Sequence, residues 1–152
     1  MSKAPLKIGI AGATGYSGCE LIKLLARHPG VRLVALSHGP GSEDQHISAA
    51  FPELACVCDL MATSFDELLA TPLDLAFLAL PHRAAMAAAA PLLARGVRVI
   101  DMSADYRLRD TALYEATYGT PHNDTENLRH AVYGLCETYR TQIQSARLVA
   151  NP

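Results

Sequence analysis

Two patterns of apolar residues alternate along the chain. Short continuous apolar runs are separated by longer stretches with apolar positions three or four apart. "LKIGIAG" (residues 6–12) reads as a buried strand. "YSGCELIKLLARHPG" (16–30) reads as a helix, with Leu21, Leu24, Leu25 and later Val31 near helical spacing, stopped by Pro29-Gly30. "VRLVALS" (31–37) is a second strand, followed by a Gly-, Pro- and Ser-rich loop over residues 38–48. "SFDE" (64–67) is a capping box, with Ser64 as N-cap and Glu67 reaching back, and it opens a short helix ending near Ala70.

The second half repeats the scheme. "LDLAFLAL" (73–80) is apolar throughout, as a parallel strand covered on both faces must be. "HRAAMAAAAPLLARG" (82–96) is an alanine-rich helix, expected to kink at Pro91 and stop at Gly96. "VRVIDMS" (97–103) is another buried strand. Residues 104–134 turn polar and aromatic and read as loops and short helices. "ETYRTQIQSA" (137–146) is a last helix, and "RLVAN" (147–151) a last strand with an unpaired edge. Repeated β-α units predict an α/β fold: a Rossmann-like, doubly wound parallel sheet.

Composition narrows the class. At 152 residues the chain is long enough for one domain with a proper core. A net charge of −2 gives no electrostatic case for nucleic acid or an anionic membrane as partner. No apolar run nears the roughly 20 residues needed to span a bilayer. The start, "MSKAPLKIGIAGATG", shows no signal-peptide pattern, so a cytoplasmic protein is expected. Cys19, Cys56, Cys58 and Cys136 match neither a zinc spacing nor a Cys-x-x-Cys pair. They are read as free thiols packed as small hydrophobes.

The chemistry starts at "GIAGATGYSGCELIKLL". Gly12, Gly15 and Gly18 form G-x-x-G-x-x-G between the first strand and the first helix. Glycine lets the backbone turn sharply and approach a pyrophosphate, whose charge then sits at the helix N-terminus. Thr14 and Ser17 add hydroxyls, and Tyr16 stands in the same turn. The strand–turn–helix context favours dinucleotide binding over a merely tight turn. An acidic residue at the end of the second strand would hold the ribose of NAD. Here Ser37-His38-Gly39 stand there, with no carboxylate until Glu43. That tilts the reading to NADP, although no Arg stands nearby; the alternative is that Ser37 and His38 only begin a loop.

Several stretches then agree with one family. "GATGYSGCEL", "LALPH", "VIDMSADYRL", "AVYGLCE" and "LVANP" follow in the order and spacing of N-acetyl-gamma-glutamyl-phosphate reductases, which this chain resembles over nearly its whole length. It is similar more distantly to aspartate-semialdehyde dehydrogenases. The resemblance implies an NADP-dependent reduction of an acyl phosphate to a semialdehyde, N-acetyl-glutamyl 5-phosphate in arginine biosynthesis. A cysteine thiolate attacks, phosphate leaves, and hydride passes from NADPH to the thioester, with a His as acid and base. In that family the strand ending in Asn-Pro precedes Gly-Cys, so the nucleophile is expected just after Pro152. Residues 1–152 would then be the NAD(P)-binding first segment, inactive alone. A substrate and dimerisation domain is expected after residue 152, and the whole protein is expected to be a homo-oligomer.

Residue by residue, the resemblance puts the loop of residues 14–17 on the cofactor phosphates and Leu80, Pro81 and His82 beside the cofactor. His82 has an alternative as a cap of the alanine-rich helix. Ser103 and Arg107 in "SADYR" fall on the substrate side. A guanidinium suits an acyl phosphate, and the alternative for Arg107 is a salt bridge to Asp105 or Asp110. Tyr133 and Glu137 shape the substrate side or are structural. Three departures stand out. Cys136 replaces a usual proline, "HNDTENL" lacks the Pro-Glu usual after His122, and Ser37-His38-Gly39 replaces Thr/Ser-Ser-Arg. The other readings of the same fold are a lysine-biosynthesis relative, an aspartate-semialdehyde dehydrogenase, or a non-catalytic NAD(P) sensor. "SADYR" with "YGLCE" weighs against the second, and the unpaired edge of the last strand against the third.

Overall fold

A computed structural model describes residues 4–152. Met1 to Lys3, part of the stretch read as lacking a leader, lie outside the described residues. One eight-stranded sheet organises the chain. Its strands are β1 (Leu6–Ala11), β2 (Val31–Ser37), β3 (Gln45–His46), β4 (Met61–Thr63), β5 (Leu75–Leu78), β6 (Arg98–Asp101), β7 (Val132–Tyr133) and β8 (Leu148–Ala150). They lie in the order β3-β4-β2-β1-β5-β6-β8-β7, and every neighbouring pair is parallel except β3 with β4. The chain moves outward from β1 to β2 and β4, then returns to place β5 on the other side of β1. Ligands of such sheets sit at that reversal, beyond the carboxyl ends of the strands.

The helices are α1 (Tyr16–Leu25), α2 (Ile47–Ala50), α3 (Phe65–Ala70), α4 (Ala84–Ala94), α5 (Thr111–Tyr118), α6 (Thr125–Leu128) and α7 (Cys136–Ser145). Two apolar cores show that both faces of the sheet are covered. Ile10 packs with Cys19 and Ile22 of α1, Leu36, Ile47 and Leu54. Its neighbour Ala11 points the other way, to Leu78, the α4 residues Ala85, Ala88, Ala89 and Leu92, and Tyr106 and Tyr114. This is strand alternation read on adjacent residues, and it establishes the doubly wound α/β fold.

Helix ends follow local chemistry. Ser64 Oγ accepts the Glu67 amide at 3.3 Å, as the capping box predicts. The Asp110 carboxylate takes the Ala112 and Leu113 amides and starts α5, and Gly119, at φ 66°, ends it. Arg98 of β6 reaches the end of α7, donating to the carbonyls of Ile143, Gln144 and Ala146.

Four expectations change. α1 ends at Leu25, before Pro29-Gly30, and its buried stripe is Gly18, Cys19 and Ile22. Leu24 lies on the opposite face and is 70% exposed, because the apolar periodicity there was wider than the contact surface. The loop of 38–48 contains β3 and the start of α2. α4 begins at Ala84 rather than at His82 and runs through Pro91 to Ala94. β8 has no unpaired edge, since β6 and β7 flank it, so its edge does not weigh against a stand-alone sensor.

The crossing of α1 over β1 has almost no spare volume. A Cβ on Gly18 would lie 2.6 Å from both Ala13 Cα and the Gly12 carbonyl oxygen, which are backbone atoms and cannot rotate away. Gly18→Ala is therefore expected to destabilise the domain by about 1–3 kcal/mol. Thermal unfolding checks it, and an unchanged midpoint would mean that α1 can lift off the sheet at no cost.

Candidate functional site

At the carboxyl end of β1 the chain turns at Gly12, whose φ is 81°. A Cβ there would meet the Ala79 carbonyl oxygen at 2.3 Å, so only glycine fits between β1 and the end of β5. The amides of Gly12 and Ala13 both donate to the Ser37 carbonyl, at 3.0 and 2.8 Å. This bonding lashes the loop to the end of β2. Gly15 is the N-cap of α1, with no side chain to satisfy the first-turn amides. The amides of Tyr16, Ser17 and Gly18 consequently have no partner within the helix. A Cβ on Gly15 would meet nothing closer than the Gly12 oxygen at 3.5 Å, which leaves the cradle open to a ligand.

Two cavities meet at this loop. One, of about 410 Å³, is lined by Gly12, Thr14, Gly15, Tyr16, Ser17, Ala79, Leu80, Pro81 and Met102. The other, of about 440 Å³, has Ser37, His38, Pro40, Phe65, Asp66 and the α4 alanines Ala84, Ala87 and Ala88 among its walls. Gly39 and Leu80 belong to both, so the cavities form one groove along the carboxyl edge of the sheet. Ser37 is among its walls. Ser37 is buried, and among the described residues its oxygen is the buried side-chain polar atom without a partner. An orphaned hydroxyl in a groove wall, with a cradle of free amides further along, fits a ligand that brings its own polar groups and a phosphate.

His38 follows. Its Nδ1 lies 2.8 Å from the Gly39 carbonyl oxygen and its Nε2 3.0 Å from Asp44 Oδ1. The Gly39 carbonyl first, and then the Asp44 carboxylate, raise its pKa against the opposing cost of burial.

The remaining predicted residues gather at the ends of β5 and β6 but do not all face the groove. Leu80 and Pro81 line it. His82 does not cap α4: its Nδ1 accepts the Ala104 amide at 3.1 Å and its ring lies against Tyr118. Ser103 is buried, donating to Asp101 Oδ2 at 2.8 Å and accepting the Asp105 amide at 3.0 Å. Arg107 makes neither carboxylate pair considered for it. Its Nε donates to the Asn151 carbonyl at 2.9 Å and its Nη2 to that of Met102 at 3.2 Å, which ties the loop after β6 to the end of β8. Tyr133 is part-exposed on edge strand β7 and Glu137 lies in the first turn of α7.

Beneath these lies a buried polar cluster that sequence reasoning missed. The Asp105 carboxylate accepts the Arg83 amide at 2.9 and 3.0 Å and the Tyr114 hydroxyl at 2.8 Å. The bond to Arg83 holds that residue at φ 76°, the strained N-cap of α4. His122 Nε2 bonds the Asp105 carbonyl at 2.7 Å, and the Tyr106 hydroxyl donates to Asp124 at 2.6 Å. Burial pushes both Tyr106 and Tyr114 well above the usual tyrosine range. The cue was the "SAD" of "SADYR", a short polar run directly after a buried strand.

A family model described as semialdehyde dehydrogenase, NAD binding domain, matches residues 7–146. The chain belongs to this family. N-acetyl-gamma-glutamyl-phosphate reductases are similar to it: that of Herminiimonas arsenicoxydans is 46% identical over 97% of this chain and 42% of its own length. That of Syntrophobacter fumaroxidans is 48% identical over the same shares. The chain thus spans 42% of the length of these relatives. Among solved structures, a probable aspartate-semialdehyde dehydrogenase from Pseudomonas aeruginosa superposes with TM-score 0.66 at 22% identity, over 97% of this chain and 38% of that one. The Candida albicans aspartate-semialdehyde dehydrogenase, solved with NADP, gives 0.59 at 19% identity over 78% of this chain and 40% of that one. These two show the shared fold.

Asp101 makes the site's pH behaviour testable. It is fully buried, and burial lifts its pKa to about 6 against the pull of the Ser103 amide and hydroxyl. The folded chain then holds a proton there that the unfolded chain releases near its ordinary value, so this residue lowers stability as pH rises from about 4 to about 6. Relative to Asp101→Asn, the wild type is expected to lose about 3 kcal/mol across that window. Denaturant unfolding at a series of pH values measures it, and a difference that stays constant would refute the shift.

Proposed function

We propose that this chain is the coenzyme-binding part of an N-acetyl-gamma-glutamyl-phosphate reductase that uses NADP(H) and acts as a homo-oligomer. The observation that carries the reading is the single groove from the orphaned Ser37 hydroxyl, past the free amides of the glycine loop, to Met102 beside Arg107. The names borne by the relatives at 46% and 48% identity support the substrate class. A dinucleotide bound there supplies a hydride. The chain's own residues bind and orient the dinucleotide. The amides of Tyr16, Ser17 and Gly18 bind the pyrophosphate at the start of α1, where the helix dipole favours negative charge. Leu80, Pro81 and Met102 form the apolar wall next to the reacting end and keep water from it.

Arg107 suits the substrate phosphate. Its Nε and one Nη2 donor are engaged with carbonyls. A guanidinium has five donors, so about three remain for a phosphate oxygen. Its bond to the Asn151 carbonyl holds it at the end of β8. None of the four cysteines has the setting of an activated nucleophile. Cys19 and Cys58 are buried, and burial raises both thiols. Cys56 and Cys136 are exposed, and neither belongs to the groove.

In the reverse direction, the intact protein is expected to reduce NADP with N-acetylglutamate semialdehyde only when inorganic phosphate is present. Turnover that ignores phosphate would reject an acyl-phosphate product. Arg107→Lys keeps the charge but loses the planar fork, and is expected to raise the KM for phosphate about tenfold or more while NADPH affinity stays the same. Steady-state kinetics and a binding titration separate the two effects. Equal losses in both would make Arg107 a structural tie and nothing more.

A further inference from the structure

The groove's wall beyond β2 holds one side chain able to become a cation, His38. Among the described residues, no Lys or Arg lines either cavity. A neutral imidazole has one donor and one acceptor. Both nitrogens of His38 face acceptors, the Gly39 carbonyl at 2.8 Å and the Asp44 carboxylate at 3.0 Å, and only the imidazolium can donate to both. His38 lines the same cavity as Ser37, whose buried hydroxyl has no partner. Asp44 does not line it and is half-exposed at the end of a loop carrying Gly39 and Gly41. A Cβ on either glycine would meet nothing within 4 Å, so that loop has room to shift.

We propose that His38 is the residue by which this domain tells a 2′-phosphorylated dinucleotide from an unphosphorylated one, with Asp44 occupying the imidazolium's Nε2–H until the phosphate takes it. This inference rests on the reading of the groove as a dinucleotide site. Carboxylate and phosphate compete for one donor. The phosphate carries more charge, at about −1.5 to −2 near neutrality, and three acceptor oxygens. An unphosphorylated ribose leaves Asp44 in place and gains no charged partner. The other groups facing the ring do not supply a cation. Glu67 acts on it from α3, and Asp66 of the same helix walls the cavity. Thr63 of β4 offers a carbonyl to the His38 amide, and α4 offers alanines. Discrimination therefore depends on the charge of one imidazole, and it weakens as pH rises through that group's raised pKa.

The test is titration of the intact protein with NADPH and with NADH from roughly pH 6.5, the ordinary imidazole value, up to about 9. His38→Gln is expected to weaken NADPH binding about tenfold or more at the acid end, as losing a charge-assisted hydrogen bond does, while NADH affinity changes less than about twofold. NADH binding is also the control for folding. The wild-type preference for NADPH should fall with pH, and that of His38→Gln should not follow it. The 2′-phosphate's own ionisation is common to both proteins and cancels. Asp44→Asn removes the competitor and the carboxylate's support of the charge. It should tighten NADPH binding at the acid end and move the fall to lower pH. If NADPH binds the wild type but its preference over NADH and the pH course survive in His38→Gln, this inference is overturned and the dinucleotide reading stands. If neither dinucleotide binds the wild type, both fall.

Discussion

The Ser37 carbonyl is the tie on which the site depends. By accepting the amides of both Gly12 and Ala13 it fixes the turn after β1 against the end of β2. Only a glycine leaves space for the Ala79 carbonyl on the other side of that turn, so β5 closes in from the opposite flank. Three adjacent strands are locked at their carboxyl ends by backbone groups alone. α1 must then start where its first-turn amides point into the gap, and Gly18 lets it lie directly on the loop. The groove follows from these contacts, and so does the isolation of the Ser37 hydroxyl, which is buried by the same closure.

A second tie of a different kind builds the other end of the groove. Asp105 is a fully buried carboxylate that collects the Arg83 amide and the Tyr114 hydroxyl. A buried polar group is tolerated only when its hydrogen bonds are met, and here the donors come from two separate stretches, the start of α4 and α5, to a carboxylate on the loop after β6. Leu80 and Pro81 immediately precede that start and line the groove, so the apolar wall is held in place by a polar cluster behind it. His82 and Ser103 belong to this scaffold through the bonds they make to the same loop. Arg107 is the side chain of that loop with donors left unspent.

The sheet, its parallel character and the glycine loop were legible because each is written in contiguous residues. β2 was read at its observed bounds, and the Ser64 cap was found from four letters. What escaped was whatever depends on residues far apart in the chain. β3 and β7 have two residues each and exist only through their partners β4 and β8. The alanine-rich stretch of α4 was read only as a helix, yet Ala84, Ala87 and Ala88 wall a cavity formed with the ends of β2 and β5. Arg83 and Asp105 are separated by 22 positions, and nothing in either neighbourhood announces the pairing. Cys136, flagged as a departure from the family's proline, sits exposed in the first turn of α7, where proline and cysteine both fit.

The arginines near the groove explain how it can bind a highly charged ligand with so few cations. Arg83 donates to the Tyr118 carbonyl and Arg107 to those of Met102 and Asn151, so both are anchored in the scaffold. The pyrophosphate is left to backbone amides, which carry partial charges fixed in direction and need no side chain to be ordered before binding. At the end of the groove beside Met102, Arg107 keeps donors that the scaffold does not use. On the proposed reading, fixed dipoles hold the pyrophosphate that both dinucleotides share, and the imidazole of His38, whose pKa its two acceptors raise, distinguishes between them. Affinity and selectivity would then sit on different atoms of one groove, and neither would need an arginine after β2.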